Sequence, residues 1–235
     1  MVAGLTGFST FKHRKGAVTN VHKFGSNSGL NNSTLETVWS AGGLYPWDEF
    51  ATAQTLYVSS TVAGDNGSVE IEGLDANYSP LTETVSLNGD PSEITTTNTF
   101  IRVFRMAYSD TNTGVITART VSHAGTVVGQ IDIGKAQSLM AIYTIPAGCV
   151  GYLMNYTLGT GKQADATLEV YFRKFGENFR IKNEGQVFQN SFIQQFPVPL
   201  EITGKGDIDM RAITTNSGGG SCFINFDLII YKWDR

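Results

Sequence analysis

The chain has three histidines, His13, His22 and His123, and two of them lie within its first 22 residues. A Ser, His and acid triad needs an imidazole within reach of an activated nucleophile. His123 sits in the loop-like stretch TVSHAGT, and the sequence holds no GxSxG turn. Glycosidase chemistry needs two carboxylates facing each other across a cleft, and 21 acidic residues supply pairs by chance. Most of these carboxylates fall at outward strand positions or in turns such as AGDNGS and LNGDPSE, where Asp and Asn have ordinary turn-forming roles. Calcium in one of those turns is an alternative without EF-hand spacing behind it. Glu83 falls on the apolar side of the segment LTETVSLN. It reads either as an acid with a raised pKa or as a sheet-edge residue, or a partner of Arg102 or Arg105.

Other motifs offer less. SGGGS, at residues 217–221, lacks the Lys and Ser or Thr of a phosphate-binding loop and reads as a flexible connection. Trp39, Trp47 and Trp233, with Tyr45, form aromatic clusters near the two ends of the chain. Two readings stay open for them: a stacking platform for sugars or bases, or anchoring of a linker and subunit contacts. Cys149 and Cys222 each lie in an apolar stretch and read as buried free thiols, with a disulfide between them as the alternative. The residues point to no catalytic group, no metal site and no cofactor.

Only 16% of the chain is charged, while Gly numbers 26 and Thr, Ser and Asn are abundant. That usage favours strands and turns, and 235 residues suffice for one large all-β domain. No apolar run approaches the ~20 residues that span a bilayer, and the basic cluster follows the mildly apolar start, the reverse of a secretory signal. Synthesis in a cytoplasm, as a soluble chain without a membrane partner, is the expectation. Charge is uneven: residues 1–35 carry Lys12, Arg14, Lys15 and Lys23 and no acid, so a net charge of −4 divides into +4 on this segment and −8 on the rest. Residues 1–50 therefore read as a basic arm and linker, with a short helical turn near STLETVW, and residues 51–235 as the body. Such an arm suits an acidic surface, either nucleic acid bound without sequence specificity or a neighbouring copy of the body, and a solvated tail with incidental charge is the other reading.

The body is punctuated by strand signals at short intervals, from QTLYVSSTV through GSVEIEGL to CFINFDLIIYKW, which predict an antiparallel sandwich. In DIDMRAI, Ile208, Met210 and Ala212 make the core face and Asp207, Asp209 and Arg211 the wet one. The last segment is apolar on both sides. Ile224, Phe226, Leu228 and Ile230 oppose Phe223, Ile229 and Tyr231, so either this strand is sandwiched centrally or its outer face meets a partner subunit, with Phe223, Ile229 and Tyr231 as the expected interface residues.

Several segments in order, HKFGSNSGLNNSTLETVWSAGGLYPW, VEIEGLDANYSPLTETVSLNG, TTTNTFIRVFRMAY, SLMAIYTIPAG, FPVPLEITGKGDIDMRA and FDLIIY, together resemble virion structural proteins of tailed bacteriophages, including jelly-roll cement proteins that decorate capsids. The resemblance implies a jelly-roll-like β-sandwich without enzymatic activity. It also implies a homotrimer that binds the major capsid protein and stabilises the expanded head from the capsid surface. Phe11, Lys12, Arg14, Lys15 and Lys23 are the expected attachment residues, with Trp39, Tyr45 and Trp47 anchoring the linker. A tail, collar or fibre component contacting the host surface is the main alternative. A carbohydrate-binding module with Trp47 stacked on a sugar is a second, and a glycoside hydrolase a third.

Overall fold

The computed structural model describes residues 17–89, 92–123, 125–161 and 164–232. Its strands are β1 (Val18–Leu30), β2 (Glu36–Thr37), β3 (Tyr57–Ser60), β4 (Ser68–Leu74), β5 (Pro80–Ser86), β6 (Ile94–Thr95), β7 (Arg102–Tyr108), β8 (Ile116–Arg119), β9 (Val127–Ile131), β10 (Ile142–Thr144), β11 (Cys149–Thr160), β12 (Asp165–Arg173), β13 (Arg180–Phe188), β14 (Ser191–Thr203), β15 (Asp207–Ile213) and β16 (Gly220–Lys232). Trp47–Phe50 forms a 3-10 turn. The fold is all-β and antiparallel, as composition and alternation predict. In place of the expected helical turn near STLETVW stand β2 and an isolated bridge from Trp39 to Met140.

Two sheets form the sandwich, β1-β16-β11-β14 and β10-β15-β12-β13, the latter with β2 beside β15. Of these strands, leaving β2 aside, the first sheet holds the first, eighth, third and sixth in chain order, and the second holds the second, seventh, fourth and fifth. This nesting of one long hairpin is the jelly-roll order. Between the first two of these strands the chain inserts two further sheets, β6-β3-β8-β9 and β5-β4-β7. Residues from all four sheets share one core, including Phe226 and Leu158, Met210 and Val170, Val58 and Ile116, and Ile71 and Met106.

The boundary at residue 50 needs correction, because β1 is the first strand of the jelly roll and pairs with β16 from Val18 opposite Tyr231 to Leu30 opposite Gly220. Its sequence hides it. The inward positions run from Val21 through Lys23, Gly25 and Asn27 and, past a bulge, to Leu30, and the three central ones are buried although none is a large apolar residue. Gly25 is required there by close approach, since a Cβ would lie 2.2 Å from the Val38 carbonyl oxygen. The polar face of β15 is also buried, with Asp207 2% and Asp209 0% exposed. The segment around β2 and the 3-10 turn covers it, so β15 has protein on both faces.

Candidate functional site

The carboxylates of β15 organise the polar interior. Asp207 accepts from Arg102 Nε at 2.9 Å, Arg173 Nε at 2.8 Å and Thr144 Oγ1 at 2.6 Å. Asp209 accepts from Thr37 Oγ1 at 2.9 Å, Trp47 Nε1 at 2.9 Å and Arg211 Nε at 2.8 Å. Buried charge is tolerated when it is paired and hydrogen-bonded in this way. Around the acids, cations and rings alternate: Tyr171, Arg211, Phe179, Arg173, Trp47, Arg102, Tyr78, Lys205 and Phe175, with cation-to-ring distances of 4.3 to 5.5 Å. Its members come from β7, β12, β15, the 3-10 turn and three connecting turns, so one layer ties the inserted sheets to the sandwich. Over it lies an open cleft of about 460 Å³.

Trp39, Tyr45 and Trp47 are 2%, 2% and 6% exposed. Tyr45 stands edge-on to both tryptophans, at 5.2 and 4.8 Å, and its hydroxyl donates to the Val103 carbonyl. Burial pushes its phenol far above the ordinary value. Trp47 therefore has no free face for a sugar, which corrects the stacking alternative. Phe11, Lys12, Arg14 and Lys15 lie outside the described residues. Lys23 is buried on the inner face of β1, donating to the Phe104 carbonyl, and burial lowers its pKa to about 7. An accessible attachment role for Lys23 is thereby overturned. Phe223, Ile229 and Tyr231 do share the outer face of their sheet, but Ile229 (7%) and Tyr231 (0%) are buried within the chain. Only Phe223, at 42%, is left to meet a partner; its ring lies on Gly159 of β11.

The sequence reading missed the free margin made by β13 and β14, one edge strand from each sheet of the sandwich. Ile181, Phe188, Ile193 and Val198 are 51 to 80% exposed there. Between Gln195, opposite Asn155, and Leu200, opposite Leu153, β14 bulges outward through Pro197, Val198 and Pro199. The two prolines remove amide donors and so disfavour simple edge pairing with another strand. The signal was present in the motif FPVPL.

The remaining candidates have ordinary partners. Glu83 lies on the edge strand β5 and accepts from the Thr97 and Asn98 amides, while Arg102 pairs with Asp207 and Arg105 with Glu72. In AGDNGS, burial alone would raise the pKa of Asp65, but bonds from Ser60, Thr113 and Gly114 hold it below the usual carboxylate range. His123 approaches Glu93 at 3.6 Å. Cys149 and Cys222 are free thiols opposite Lys232 and Thr160, at opposite ends of the β11 and β16 ladder and about 30 Å apart by strand rise.

No family model and no curated protein matches the sequence. Among solved structures, the chain is similar to one of infectious bursal disease virus Gt strain, with 15% identity and a TM-score of 0.26 over 87% of this chain and 57% of that one. It is also similar to the infectious bursal disease virus VP2 subviral particle, with 12% identity and a TM-score of 0.21 over 91% and 76%. A third is the insecticidal delta-endotoxin Cry8Ea1 from Bacillus thuringiensis, with 9% identity and a TM-score of 0.22 over 78% and 53%. The chain thus spans 57% of the length of the first. Scores this low assign neither topology nor function; the jelly-roll order rests on the strand pairing alone.

Proposed function

We propose that this chain is a non-enzymatic structural protein of a tailed-phage virion, a decoration or cement protein that trimerises and binds the major capsid protein on the expanded head. The observation that carries this reading is the apolar β13 and β14 margin. A margin with Ile181, Phe188, Ile193 and Val198 at least half exposed suits a protein whose edge is covered in an assembly. Phe223, its ring on Gly159 of β11 opposite Ser191 of β14, adds a further exposed apolar group on the outer face of the first sheet. The segment resemblance to phage virion proteins points the same way. Jelly rolls occur in capsid and lectin domains alike, so the fold by itself does not choose between them. Repetition over a symmetric shell multiplies modest contacts into firm attachment.

The test is co-sedimentation with emptied, expanded phage capsids at two salt concentrations. Full-length protein is compared with a version lacking residues 1–16, a truncation that stops short of β1. Capsid binding that weakens with salt and with loss of the arm is expected. Ile193→Asp combined with Val198→Asp is expected to reduce both capsid binding and trimer formation in ultracentrifugation at unchanged melting temperature. A protein that stays monomeric at high micromolar concentration and binds no capsid overturns the proposal.

A further inference from the structure

The cleft over Trp47 holds hydrogen-bonding capacity that the protein itself does not use. Arg211 donates to Asp209 through Nε, and Arg173 donates to Asp207 through Nε, with its Nη2 2.6 Å from the same carboxylate. Both Nη atoms of Arg211 and Nη1 of Arg173 have no partner among the described residues. The two side chains are only 13% and 18% exposed. Even so, the sealed and unpartnered polar side-chain atoms among the described residues are Ser40 Oγ and Thr120 Oγ1, with no guanidinium nitrogen among them. The spare N–H groups therefore open into the cleft that both arginines line. They are also held in place. Arg211 is flanked by Tyr171 and Phe179 at 4.3 and 4.7 Å, and Arg173 by Phe179 and Trp47 at 4.5 and 5.3 Å. A clamped guanidinium loses little freedom when it takes up a carboxylate.

The rest of the lining narrows the ligand. Asp48, Glu49 and Asn178 offer oxygens that accept hydroxyl donors, and Leu44, 53% exposed, adds an apolar contact. Glu49 spends one oxygen on Thr126 and keeps the other. A compact phosphate dianion seated on the arginines would meet the Asp48 and Glu49 charges, while a neutral sugar would leave the guanidinium donors without an anion. Stacking is unavailable, because both arginines flank Phe179 and Trp47 is buried. The ligand that uses every group carries a carboxylate and several hydroxyls on one small frame. We propose that this cleft binds an acidic saccharide, its carboxylate on the spare donors of Arg173 and Arg211 and its hydroxyls on Asp48, Glu49 and Asn178. At about 460 Å³, the cleft is within the usual ~300 to 1,000 Å³ of ligand sites.

The full-length protein is titrated by amide NMR with trigalacturonic acid, with the neutral galactose trimer and with inorganic phosphate. Saturable binding of the acidic trimer is expected at millimolar concentration or below, with both controls roughly tenfold weaker or more, since charge-assisted hydrogen bonds are the strong ones. Leu44→Glu places a competing carboxylate at the mouth from an exposed position and is expected to weaken the acidic trimer by about tenfold at unchanged melting temperature. Asn178→Ala, which removes no buried charge, provides a second variant with the same expected direction. The proposal is overturned by absence of saturable binding, by equal binding of the neutral trimer or of phosphate, or by affinity that neither variant reduces.

Discussion

Two side chains concentrate the molecule's electrostatic risk. Asp207 stands between Arg102 and Arg173 with 2% of its surface exposed, so Asp207→Ala leaves two buried guanidiniums without their shared acid. A loss of about 3 to 5 kcal/mol in urea unfolding is expected. Lys23 behaves in the opposite sense, since burial lowers its pKa from 10.5 to about 7. Between those values the unfolded chain holds a proton that the folded chain has released, so raising the pH through this window favours the folded state. Denaturant melts from pH 7 to 10 are expected to show stability rising by up to a few kcal/mol from this residue. Lys23→Met removes the rise. Neither role was legible in the sequence: Asp207 occupies the polar half of an alternating strand, and alternation does not say whether the polar half meets water or a layer of arginines. Lys23 reads as one more charge in a basic segment because nothing nearby in the sequence marks β1 as inward-facing there.

At the level of elements, alternation and turns located the body strands well, because most of them bury at least one side that must be apolar. What failed was β1, whose core face has Lys23, Gly25 and Asn27 between Val21 and Leu30, so that its apolar residues are too far apart to show a period. Gly25→Val tests that account directly. The added side chain collides with the Val38 carbonyl and with Ala141, and a loss of about 3 kcal/mol is expected in thermal or urea unfolding, with amide exchange accelerated along β1. Both faces of β16 were readable as apolar, and of the two reasons open for that, a central strand holds for Ile229 and Tyr231, which the chain buries itself, while the subunit interface expected of them does not. The apolar margin of β14 was equally legible in FPVPL, yet an exposed proline-rich bulge and a buried strand end look alike until the partner strand is known.

On the scale of the whole molecule, the cation and aromatic layer joins the inserted sheets to the sandwich through residues far apart in sequence, from Trp47 to Arg211. Unfolding monitored by tryptophan fluorescence and by far-ultraviolet dichroism is therefore expected to give coincident transitions, and separate ones would show that the inserted sheets melt independently. The strand order has a further consequence for how the chain comes into being. β16 lies between β1 and β11, so β1, which ends at Leu30, has no neighbour in its sheet until the chain from Gly220 onward has left the ribosome. Until then β1 and one side of β11 wait with open backbone edges, and a nascent chain halted before residue 220 has one unfilled place in this sheet with an open edge on each side of it. How long those edges stay open during synthesis is set by the position of β16 in the chain, whatever the stability of the finished fold.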